Sequence, residues 1–85
     1  MKTTVIFRKF KEGDILALFP YDYAGNYFVS SYMHVGQHGP ADYHAMIANS
    51  TPATPSEYHR LKAELISIGY NLDVRKRAFR SKMYK

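Results

Sequence analysis

The sequence has no cysteine and no tryptophan. Without cysteine there is no disulfide framework, no thiolate nucleophile and no Cys-based zinc site. No apolar run approaches the roughly 20 residues that span a bilayer. The opening Met1-Lys2 enters a strand-like Val5-Ile6-Phe7 rather than the apolar stretch and small-residue cleavage site of a secretory leader. The expectation is a cytoplasmic protein that folds on burial alone, with no membrane span. Also missing are internal repeats, low-complexity segments, and the G-x-S-x-G, G-x-x-x-x-G-K and H-E-x-x-H motifs that mark common catalytic sites. No helix-turn-helix, zinc-finger or RNP pattern is recognisable either.

What is present is a neutral body and a basic end. Residues 75–85 hold six Lys and Arg and no acid, so residues 1–74 sum to −1 within a formal net charge of +5. Eighty-five residues suit one domain. Its boundaries are read as 1–74, with 75–85 a basic tail.

TVIFRKF at residues 4–10 is rich in β-branched and aromatic types, and ILALF at 15–19 is a short apolar run. Lys11-Glu12-Gly13-Asp14 supplies turn residues between them, so the two predict a hairpin closed by Pro20. PYDYAGN at 20–26 reads as loop and YFVSSYMHV at 27–35 as a third strand. Residues 36–40 read as a loop. In the following ADYHAMIAN, Tyr43, Ala45 and Ile47 alternate as a fourth strand; the competing reading is a short helix with Pro40 and Asp42 in its first turn.

Thr54-Pro55-Ser56-Glu57 is a capping box with Pro at the first helical position. Tyr58, Leu61, Leu65 and Ile68 then form one apolar stripe, and Gly69 supplies a left-handed stop. The pattern predicts a helix over 55–68. Tyr70, Leu72 and Val74 alternate as a last strand. The order β-β-β-β-α-β implies an α+β fold: a small, mainly antiparallel sheet of four to five strands with one amphipathic helix on one face.

The opening VIFRKFKEGDILALFP, the stretch SSYMHVGQHG and the capped helix PATPSEYHRLKAELISIGY resemble a family of small uncharacterised proteins from bacteriophages and bacterial mobile elements. The likeness covers nearly the whole chain except the tail. It implies a short accessory protein of a bacterial cytoplasm. It carries no assigned activity, so no functional residue transfers.

Three clusters carry chemistry. His34, His38 and His44, with Asp42 beside them, are the metal candidates. Gly36 and Gly39 break the helix that would align His34 with His38, and the expectation is that no metal or other cofactor is held. Gly36, His38 and Gly39 are candidates for a backbone nest around an anion, against the simpler reading of a loop that needs glycine. Ser30, Ser31, His34 and Asp42 compose a triad on paper only, since triads are recognised by geometry. No catalytic residue is assigned and small-molecule turnover is not expected.

The tail combines cations with aromatic rings, which suits phosphate contact with base stacking. Its candidate contacts are Arg75, Lys76, Arg77, Phe79, Arg80, Lys82, Tyr84 and Lys85. Arg8, Lys9 and Lys11 of the first hairpin extend that patch if the last strand lies beside the first. The plainer reading is a solvated end. Eight tyrosines suit an interface. The expected function is a non-enzymatic accessory role, binding a protein partner or a second copy, with nucleic-acid binding through the tail and first hairpin as the alternative.

Overall fold

The computed structural model describes residues 2–23, 28–33 and 38–75. Strands β1 (Thr3–Phe10) and β2 (Ile15–Tyr23) pair antiparallel, with Ile6 opposite Leu18 and Lys9 opposite Ile15. Their turn closes through Phe10 N–H to Asp14 C=O and Gly13 N–H to Phe10 C=O, both 2.9 Å. Gly13 sits at φ 100°, a backbone angle that side chains with a Cβ resist. Strand β3 (Phe28–Tyr32) follows on β2, and β4 (His38–Asp42) on β3. A short helix α1 (Tyr43–Ala48), strand β5 (Ser50–Pro52), helix α2 (Pro55–Ser67) and strand β6 (Leu72–Arg75) complete the order.

The sheet runs β4-β3-β2-β1, and the outer side of β1 is shared. Antiparallel β5 takes Arg8 to Phe10, and parallel β6 takes Thr3 to Ile6. Period-2 alternation then sorts the side chains into two layers. Val5, Phe7, Ala17, Phe19 and Tyr32 meet Leu61 and Leu65 of α2. On the reverse face Ile6, Leu16, Leu18, Val29 and Ala41 gather with Tyr43 of α1.

The α+β class and the mainly antiparallel sheet agree with the sequence reading, and the six strands among the described residues stand close to the four to five expected; the details depart from it in several places. Residues 43–48 are helix where a strand was expected, because Asp42 acts as N-cap and its Oδ1 accepts from Ala45 N–H at 3.1 Å. This second helix gives the sheet cover on both faces. His38, Gly39 and Pro40 belong to β4 instead of a loop. Pro20 does not end β2: it is fully buried within the strand, where the register with β3 shifts between Phe19 and Tyr23, and such irregularities are where a sheet tolerates proline.

Helix α2 is close to its expected bounds. Glu57 Oε1 accepts from Thr54 N–H at 2.9 Å. At the other end Gly69, at φ 114°, and Tyr70 donate to the carbonyls of Ile66 and Leu65, both at 3.1 Å. That pair of bonds is a Schellman stop. Ile68, expected on the buried stripe, is instead exposed at the C-cap.

Candidate protein-binding edge

The two outer sides of the sheet differ. At one, β4 carries Pro40 at its centre, so a strand arriving there meets a position without an N–H. At the other, β5 and β6 approach each other end to end along β1, with Pro52 opposite Arg8 and Arg75 opposite Ile6. Phe7 lies at the gap, and its carbonyl accepts from Ala53 N–H at 3.1 Å.

The phase of β6 follows from one bond. Thr3 N–H donates to Asn71 C=O at 2.7 Å while Thr3 sits opposite Leu72. In a parallel ladder the residues flanking that partner turn inward. Asn71 and Asp73 therefore face β1, and Leu72 and Val74 present their N–H and C=O to the outer side. Among the described residues no strand pairs with β6 there.

Beside the end of β6 opens a cleft of about 210 Å³ lined by Phe7, Pro52, Pro55, Tyr58, Val74 and Arg75. Its floor is the stacked pair Phe7–Tyr58, with centroids 4.3 Å apart and planes within 12°. The lining is mainly apolar, with Thr54 and Arg75 as its polar members, and Arg75 Nη2 bonds Asp73 Oδ2 at 2.8 Å.

Two of the three hairpin cations are committed elsewhere. Arg8, 5 % exposed, donates from Nε to Ser50 Oγ at 2.9 Å and from Nη2 to Ser50 C=O at 2.7 Å and Ile47 C=O at 3.1 Å. Burial lowers its pKa, and the neighbouring Tyr43 works the other way. Arg8 is thus a clamp on the end of α1, not the surface contact expected of it. Lys9 Nζ binds Glu57 Oε2 at 2.5 Å; this bond first, and the Thr54 N–H second, lower the Glu57 pKa. Lys11 is exposed. Lys76, Arg77, Phe79, Arg80, Lys82, Tyr84 and Lys85 lie outside the described residues.

Of the imidazole and glycine candidates, His44, Gly39 and the backbone of His38 fall among the described residues. His34 and Gly36 lie outside the described residues, and of His38 only the backbone, at the start of β4, is described. His44 stands in α1, across the length of β4 from His38. Among the described residues no group of three or more His, Cys, Asp or Glu is placed to hold a metal. Gly39 is paired with Ser31 in the ladder, and Ser31 Oγ donates to its carbonyl at 2.8 Å; its φ is not positive, so it does not contribute to a nest. Among the described residues no helix is long and apolar enough to cross a membrane.

Compared with known proteins, the chain matches no family model, no curated protein and no solved structure. The edge therefore stands on its geometry. Sequence reasoning did not single out Phe7, Tyr58, Leu72 or Val74 as site residues. Their apolar alternation signals core, and only the placement of two short strands end to end turns them into a lined cleft.

Proposed function

We propose that this chain is a non-enzymatic accessory protein that acts by binding a protein partner, and that the outer side of β6 with its adjoining cleft is the docking edge. The observation that carries the reading is the outward N–H and C=O groups of Leu72 and Val74 beside an apolar cleft, while the opposite edge is interrupted by Pro40. Strand addition draws affinity from such main-chain groups and specificity from pockets beside them. The resemblance to small phage and mobile-element proteins supports an accessory role in a bacterial cytoplasm. Self-association through β4 is disfavoured by the same proline.

A photo-crosslinking residue at position 74, introduced in cells, tests this. It is expected to yield a discrete protein adduct that the same residue at Ala63, on the exposed side of α2, does not yield. An adduct with nucleic acid alone, or equal labelling from both positions, would overturn the reading.

A second reading rests on charge. Through Arg75 seven acids face seven Lys and Arg, so the entire +5 falls on residues 76–85. Nucleic-acid binding would then be a property of that segment, with Lys11 as the exposed cation of the hairpin and without Arg8.

A further inference from the structure

The outward groups of β6 are arranged symmetrically about Asp73. Leu72 and Val74, one position to either side, each present an N–H and a C=O to the open edge. We infer that this edge takes a second copy of the chain, the two β6 strands pairing antiparallel about a two-fold axis at Asp73 and joining two sheets into one. The inference rests on the protein-binding reading above and names the partner.

Three features of the described residues select that occupant. The first is register. In an antiparallel pair, residues that exchange both main-chain bonds alternate with residues that exchange none. With Asp73 opposite its counterpart, Leu72 of each copy exchanges both bonds with Val74 of the other. Every outward donor and acceptor is then satisfied without a shift, the self-complementarity that a two-fold contact needs. The second feature is apolar. Leu72 and Val74 pack against the core on the α2 side, so each Leu72–Val74 pair continues that core across the axis. Tyr58, Lys62 and Ile66 recur at four-residue spacing and share one flank of α2. Tyr58 lines the cleft with Val74, so this flank runs along the β6 side. It leaves Ile66 52 % exposed beside the edge that a second copy covers, and Lys62 extends its amine past the seam to water. The third feature is charge. Arg75 Nη2 bonds Asp73 Oδ2 at 2.8 Å within one strand. Across the axis the two Asp73 carboxylates stand opposite each other, which alone opposes pairing. Each Arg75, however, falls on the diagonal of the partner's Asp73, within reach of a long side chain. Two carboxylates and two guanidinium groups then meet on that face with no net charge.

The test uses the full chain. Sedimentation equilibrium is read from about 1 to 100 µM at about 0.15 M salt. Strand β6 has four residues and makes a short seam. The expected result is therefore a micromolar equilibrium between the 9.8 kDa chain and a dimer of twice that mass. Val74→Pro deletes one outward donor without touching the groups that face β1, and should weaken the dimer at least about tenfold. Circular dichroism checks that this variant folds. Arg75→Glu sets four carboxylates on one face and should weaken the dimer as much, whereas exchanging the pair, Asp73→Arg with Arg75→Asp, should restore it. A photo-crosslinking residue at position 74 of the purified chain should label Leu72 of the second copy. Mass spectrometry of that adduct keeps the test decisive if Val74→Pro does not fold. A dimer that labels elsewhere, or that survives both single substitutions, overturns β6 pairing. A chain that stays monomeric throughout while its position-74 crosslink in cells captures a different protein overturns the second copy alone and leaves the protein-binding reading standing. A monomer with no protein adduct removes both.

Discussion

The two helices lie on opposite faces of one sheet, and one of them adds a distant clamp to its local caps. Helix α2 is closed by its neighbours in sequence: Glu57 bonds the Thr54 N–H at one end, and Gly69 and Tyr70 close the carbonyls of Ile66 and Leu65 at the other. Helix α1 is six residues long, too short to persist alone in water. Its N-terminus is capped locally by Asp42, but its end is held by Arg8, 39 residues away in sequence from Ile47. Ser50 joins the clamp, donating from Oγ to Met46 C=O at 2.5 Å. Locally, Asn49 and Ser50 bond the carbonyls of Ala45 and Met46, so the sheet's own contribution to the end of α1 is the bond from Arg8 to the Ile47 carbonyl.

That contrast can be broken from either side. Leu65→Ala, at a fully buried position of α2, should cost about 3–4 kcal/mol in urea unfolding, through lost transfer energy and the cavity left behind. Arg8→Met keeps much of the volume but strands the carbonyls of Ile47 and Ser50. A cost of about 3 kcal/mol is expected, and hydrogen exchange should rise first in residues 43–50 rather than in α2. Equal protection of α1 in this variant would show that the clamp does not hold it. Gly69→Ala, at φ 114° with open space around the added Cβ, tests the local stop of α2. The expected loss is about 1–2 kcal/mol from backbone strain alone.

The smallest effect is one of pH. The Glu57 pKa is lowered in the folded state by Lys9 and then by the Thr54 N–H. A lowered folded value means that the stabilisation is complete above the unfolded carboxyl's ordinary range, about 4.3. It declines as pH falls through that range and is gone once pH passes below the folded value. Glu57→Gln should flatten this part of the stability–pH profile and leave the neutral-pH circular dichroism unchanged. An unaltered acid slope would place its origin in other carboxylates.

The sequence made some of this legible and hid the rest for identifiable reasons. The first hairpin, α2 and the last strand are readable because their signals are local: Gly13 in a three-residue turn, the Thr54–Glu57 box, Gly69 after an apolar stripe. The segment 41–49 misleads because Tyr43, Ala45 and Ile47 alternate like a strand, while the groups that decide for helix are the Asp42 cap and Arg8 on a distant strand. Pro20 reads as a terminator because proline removes a donor, yet a register shift accommodates it. Arg8 reads as a surface cation because its type predicts exposure, whereas its guanidinium is buried against the end of α1. Of the edge, the tail's charge was legible and the cleft was not.

By itself the sequence determined the α+β class, the capped helix, the turn residues and the separation of a neutral body from a basic segment, because propensity, capping and charge act between residues close in the chain. Only the tertiary structure decided which strands share the outer side of β1, which helix needs Arg8, and which backbone groups face outward from β6. Those outcomes depend on register between residues far apart in sequence, and a shift of a single position would reverse every side chain's face.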